Sequence, residues 1–78
     1  MNKERRSTLR KLAEEIDSIY SSICIIRRKE EMTLDNVPEN LQNSDRCQNL
    51  EENEDDLNTA CETLQDVSEL LQSVIDRR

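Results

Sequence analysis

Apolar residues recur at three- and four-residue steps in two long stretches of the chain. The first row is Leu9, Leu12, Ile16, Ile19, Ile23 and Ile26; the second is Leu57, Ala60, Leu64, Val67, Leu71 and Val74. That spacing places each row on one stripe of a helix, as in a coiled-coil seam. The pattern predicts one helix from about residue 3 to about 33 and another from about 44 to about 76. Between them lies a polar connector, about 33–43, which holds the only proline, Pro38. A proline there argues against one straight helix. Two helices of similar length, each near ~45 Å at 1.5 Å per residue, predict an all-α fold: an antiparallel helical hairpin forming a single domain over residues 1–78.

Local signals sharpen the connector. Asp35-Asn36 is a turn pair, and Val37 before proline is biased to extended backbone. Pro38 suits the first position of a short helical turn over 38–42. Asn43 or Ser44 then caps the second helix, with Asp45 in its first turn. Register follows if Ile26 pairs with Leu57 and Leu9 with Val74. The same register sets Arg27, Arg28 and Lys29 near Asp56, Asp55 and Glu54, a charge zipper between the helices.

Two features widen the picture. Ala13 and Tyr20 broaden the first stripe on one flank, and Cys24 and Ile25 extend it elsewhere. A stripe this broad suits a helix with more than one neighbour. A two-helix chain of 78 residues also has almost no interior. Self-association into a helical bundle, most simply two hairpins making four helices, is therefore expected. Beyond Ile26 the seam turns polar, with Glu30 and Thr33 on one helix and Asn53 on the other. That change predicts either a register-fixing polar layer or a hairpin that opens near its tip.

Charge is uneven. The net charge is −7, yet Lys3, Arg5, Arg6, Arg10 and Lys11 crowd the start and Arg77 and Arg78 end the chain. From Glu30 to Glu62 there are eleven acids and one base, Arg46. The hairpin thus has a basic foot and an acidic tip. The overall balance argues against nonspecific nucleic-acid binding. No apolar run approaches the roughly 20 residues of a membrane span, so a membrane partner is not expected. Cys24, Cys47 and Cys61 match neither an even disulfide framework nor a zinc spacing, and read as reduced thiols of a cytoplasmic protein.

Catalysis is not expected. The chain has no His and no Gly, which removes the side chain that titrates near neutrality and any glycine-rich phosphate loop. Glu-x-x-His pairs for a carboxylate metal bundle are missing. No cofactor and no metal are expected. The polar connector is the best candidate binding region. Asn36, Asn40, Gln42, Ser44 and Arg46 offer many hydrogen-bonding groups in little space, beside the amides of a helix start. Glu30 and Asn53 would line the same pocket. An anionic, nucleotide-like ligand fits that chemistry. The acidic face of the second helix instead suits a host protein, as an inhibitor or DNA mimic, and a purely structural oligomer is the third reading.

The connector also carries a resemblance. The string from Glu30 to Arg46, with Asp35-Asn36-Val37-Pro38-Glu39-Asn40-Leu41-Gln42-Asn43-Ser44-Asp45-Arg46 at its centre, resembles a recurrent loop of small, mostly uncharacterised two-helix phage and prophage proteins. Those typically read Asp-Asn-Met/Leu-Pro-Glu-Ser/Asn-Leu-Gln-x-Ser-Glu-Arg. The opening Met1-Asn2-Lys3-Glu4-Arg5-Arg6 is similar to their usual start. The similarity is close over the first six residues and about 30–46, and holds for the helices only as a pattern. Cys47-Gln48-Asn49 and Ala60-Cys61 depart from the Glu-Glu-Ala steps usual after the loop. The resemblance implies a helical hairpin and a setting in the cytoplasm of a bacterial host. By analogy with short helical phage proteins, it implies an anti-defence role, in some cases by oligomers that sequester cyclic-nucleotide signals.

Overall fold

The computed structural model describes residues 1–41 and 44–77. Two helices, α1 (Lys3–Asp35) and α2 (Asp45–Asp76), pack against each other, with a single 3-10 turn at Glu39–Leu41 between them. The result is a rod of 60 × 14 × 13 Å, an antiparallel helical hairpin as expected. No strand occurs among the described residues.

Both helices start on side-chain caps. Asn2 accepts a hydrogen bond from the Arg5 amide at 2.8 Å, and Ser44 accepts one from the Cys47 amide at 3.2 Å. Each satisfies a donor that the first turn leaves without a helical acceptor. At its far end α1 runs two residues beyond the expected boundary. The Asn36 amide still reaches the Met32 carbonyl, and the helix stops only where Val37 must accommodate Pro38. The Pro38 carbonyl then accepts from the Leu41 amide at 2.9 Å, which fixes the 3-10 turn.

The seam between the helices differs from the expected one. Among the described residues four are buried: Ala13, Cys47, Cys61 and Ile75. Half-buried Leu9, Ile16 and Ile23 and their counterparts Leu57, Leu64 and Leu71 do face the seam. The second column on α1 is Arg6, Ala13, Tyr20, Arg27 and Leu34, and on α2 it is Cys47, Glu54, Cys61, Ser68 and Ile75. The expected members Leu12, Ile19, Ile26 and Val67 are instead exposed, at 44%, 50%, 50% and 36%. Ala60 and Val74 are half-buried. Small residues at Ala13 and Cys61 let the backbones approach, while Tyr20 and the Arg27 stem cover the flanks. The larger aliphatics of the other column are left facing outward.

The charge zipper does not form. Among the described residues the ion pair present is Arg27–Glu31, within α1, at 3.5 Å. Arg27 sits in the seam column and reaches its i+4 neighbour more readily than the facing helix. Contacts across the hairpin come from other groups. The Ser68 hydroxyl donates to Asp17 at 2.8 Å, and an Arg6 amine donates to the Arg77 carbonyl at 3.0 Å.

Candidate functional site

The connector folds into a cleft of about 370 Å³ at the tip of the rod, lined by Thr33, Asn36, Val37, Pro38, Leu41, Ser44, Arg46, Cys47 and Leu50. Its shape follows from the local chain. Pro38 turns the backbone across the end of α1, the 3-10 turn sets half-exposed Leu41 on one wall, and the first turn of α2 supplies the opposite wall. The floor is mainly apolar, and the polar groups sit at its edge. A site of this kind suits a ligand with a flat apolar part and a charged or polar group at one end.

Of the expected binding residues, Asn36, Ser44 and Arg46 converge on this cleft. The Ser44 hydroxyl is already engaged in capping α2. Its proton is still available to donate, beside its second lone pair. Arg46 is exposed in the first turn of α2 and is the base among the tip acids. Asn40 lies on the exposed outer side of the 3-10 turn and does not line the cleft. Gln42 lies outside the described residues.

Glu30 and Asn53 do not join the connector cleft. They line a neighbouring depression with Ile26, Asp56 and Leu57. Ile26 and Leu57 thus border one depression, but the Cys24–Cys61 and Asp17–Ser68 contacts set a register two residues away from the expected pairing of Ile26 with Leu57. Seven-residue spacing links the two sites: Thr33 follows Ile26 on one stripe of α1, and Asn53 follows Arg46 on one stripe of α2. The depression and the cleft therefore open on the same side of the rod. That side also carries exposed Leu12, Ile19 and Val67.

A second cluster was not singled out as a site from the sequence. Across the seam, the Cys24 thiol donates to Cys61 Sγ at 3.3 Å. Burial first, then the hydrogen bond with Cys24, pushes the Cys61 thiol above its ordinary range. Tyr20 is pushed up as well, chiefly by a side-chain hydrogen bond with Cys24. Thiols held protonated in this way are weak nucleophiles. The signal available in the sequence was the i,i+4 spacing of Tyr20 and Cys24, with Cys61 in the facing row.

Among the described residues no group of three or more His, Cys, Asp or Glu side chains is arranged to hold a metal ion. Nor, among them, is any helix long and apolar enough to cross a membrane. In comparisons with protein-family models, curated proteins and solved structures, nothing matches this chain.

Proposed function

We propose that the chain is a non-catalytic binding module of the phage accessory type. It works as a self-associated helical bundle and sequesters a small anionic, cyclic-nucleotide-like signal at the connector. The observation that carries this reading is the convergence of Asn36, Ser44 and Arg46 on one mainly apolar cleft beside the start of α2. A base or similar ring would occupy the Val37, Pro38 and Leu41 wall. Its phosphate would meet the Arg46 guanidinium and the positive end of the α2 dipole. The resemblance of residues 30–46 to the phage loop supports the setting, in a bacterial host cytoplasm.

Calorimetry with a panel of cyclic di- and trinucleotides tests the reading. The expected result is saturable heat from at least one of them, abolished by Arg46→Ala with helicity unchanged. No heat from any member refutes it. A second reading rests on the exposed acids Glu51, Glu52, Asp55 and Asp56 along α2. That face would occlude a basic surface of a host protein, and salt-sensitive capture of one defined basic protein would favour it over the first.

A further inference from the structure

We infer that two copies pair through the face carrying Leu12, Ile19, Ile26 and Val67 with their ends swapped, so that the basic foot of one completes the connector cleft of the other. The pairing stands on observations independent of the ligand; the shared cleft rests on the function proposed above.

The exposed apolar face is central to the rod. Ile19 is the middle residue of α1, with Leu12 and Ile26 seven residues to either side. The Cys24–Cys61 and Asp17–Ser68 contacts set the register of α2. They bring Val74, Val67 and Ala60 level with Lys11, Ser18 and Ile25. The six apolar side chains thus form a patch symmetric about Ile19. A two-fold axis through that level overlays the patches along their full length. The chain also has surface to cover. Its accessible area is 6314 Å², against about 4,900 Å² for a compact monomer of its mass. A standard interface takes about 800 Å² from each partner.

Charge selects the second copy and its direction. Lys3, Arg5, Arg6, Arg10, Lys11 and Arg77 gather at the foot, against Glu4 and Asp76. The tip carries the eleven acids of residues 30–62 with Arg46, and Arg27, Arg28 and Lys29 at the level of Asn58, Leu57 and Asp56, so it stays strongly negative. Pairing like ends would set foot on foot and tip on tip. Swapping the ends lays each foot on a tip, which is attractive at both contacts. In that arrangement Arg5, which lies on the stripe of Leu12 and Ile19, comes level with Thr33 of the second copy. Thr33 lines the connector cleft, and Glu30 and Asn53 line the adjoining depression. The second copy therefore adds cationic side chains to a cleft whose own base is Arg46. A chain of net charge −7 acquires a local cationic pocket for an anion.

Cross-linking decides the orientation. Within one chain Arg5 and Thr33 are about 42 Å apart along α1, so an Arg5→Cys/Thr33→Cys variant can cross-link them only between copies. In a Cys24→Ser/Cys47→Ala/Cys61→Ala background of native helicity, mild oxidation is expected to give a covalent dimer. A folded variant that yields none overturns the swapped pairing. Sedimentation of the native chain provides a measurement free of substitutions. Its dimer dissociation constant is expected to rise roughly tenfold between low salt and about 0.5 M salt as the end-to-end attraction is screened. A monomer at all concentrations, or dimerisation that tightens with salt, overturns the inference. For the cleft, Arg5→Ala is expected to weaken cyclic-nucleotide binding about tenfold with the dimer intact. Unchanged binding refutes the shared cleft. If the native chain binds no cyclic nucleotide, the proposed function fails and the shared cleft with it, while the pairing is still decided by the cross-link.

Discussion

The thiols of Cys24 and Cys61 lie 3.3 Å apart, on opposite helices of the hairpin and 37 residues apart in the chain. With the Ser68–Asp17 hydrogen bond, it ties the middle portions of the two helices together. It also gives the first prediction. Oxidised glutathione should convert the pair to an intramolecular disulfide, with two glutathione thiols released for each bond formed. Intact mass should show the loss of two hydrogens per chain and no dimer. Closing so long a loop should raise unfolding stability by about 3–4 kcal/mol. A mixed disulfide that never resolves would show that the two sulfurs do not meet in solution.

Stability should fall in alkaline solution. Cys61 and Tyr20 both have folded-state pKa values raised above their ordinary ones, by burial and the Cys24 hydrogen bond in the first case and by the Cys24 hydrogen bond in the second. A raised value means that the folded state holds its proton more tightly. The contribution is complete below the unfolded-state value and is lost as pH rises through the folded-state value. Urea midpoints should therefore drop as pH rises above the ordinary thiol value of about 8.5. Cys61→Ser, which lacks an ionising thiol, should flatten that drop.

The two apolar columns of the hairpin should separate by mutation. Ile75 is 3% exposed and lies in the seam. Ile75→Ala should destabilise the fold by about 2–4 kcal/mol. Ile19, half exposed on the outer face, should behave differently. Ile19→Lys should abolish self-association, measured by light scattering, with a smaller loss of helicity. Equal loss of fold in both variants would refute the division of columns.

Ser44 should matter to folding before it matters to any ligand. Its hydroxyl caps α2 through the Cys47 amide, so Ser44→Ala should cost about 1 kcal/mol. Ser44→Asp keeps a capping acceptor and should recover that stability. If Ser44 also donates to an anion, the Asp variant should remain folded and bind the ligand less well than the native chain.

Much of the hairpin was legible because its signals are local. Pro38, the Asp35-Asn36 turn pair and the Ser44 cap mark the connector within one or two residues of where it lies. The seam was harder. Three adjacent columns on each helix are compatible with packing, and the row richest in Leu and Ile looked like the intramolecular one. The hairpin keeps Leu9, Ile16, Ile23, Leu57, Leu64 and Leu71 from that row but fills the second column with Ala13, Tyr20, Cys61 and Ile75, where small Ala13 and Cys61 let the helices approach. The site was legible in part for a similar reason. Asn36, Ser44 and Arg46 are held by the turn and the cap, which sequence displays. Glu30 and Asn53 depend on where the facing helix lies, and a stripe seven residues in period does not resolve which side of the connector they reach.

The Arg6–Arg77 contact joins the first turn of α1 to the residue that caps the end of α2, 71 positions apart in the chain. Contacts near the connector close a loop of about ten residues, on a scale of about 10–100 ns. Those toward the foot must wait for the intervening turns to zip. The hairpin should thus assemble from its tip downward, and amides of the first and last turns should exchange fastest. The opening that exposes the foot is then the lowest-energy excursion of the fold, and it leaves the connector intact.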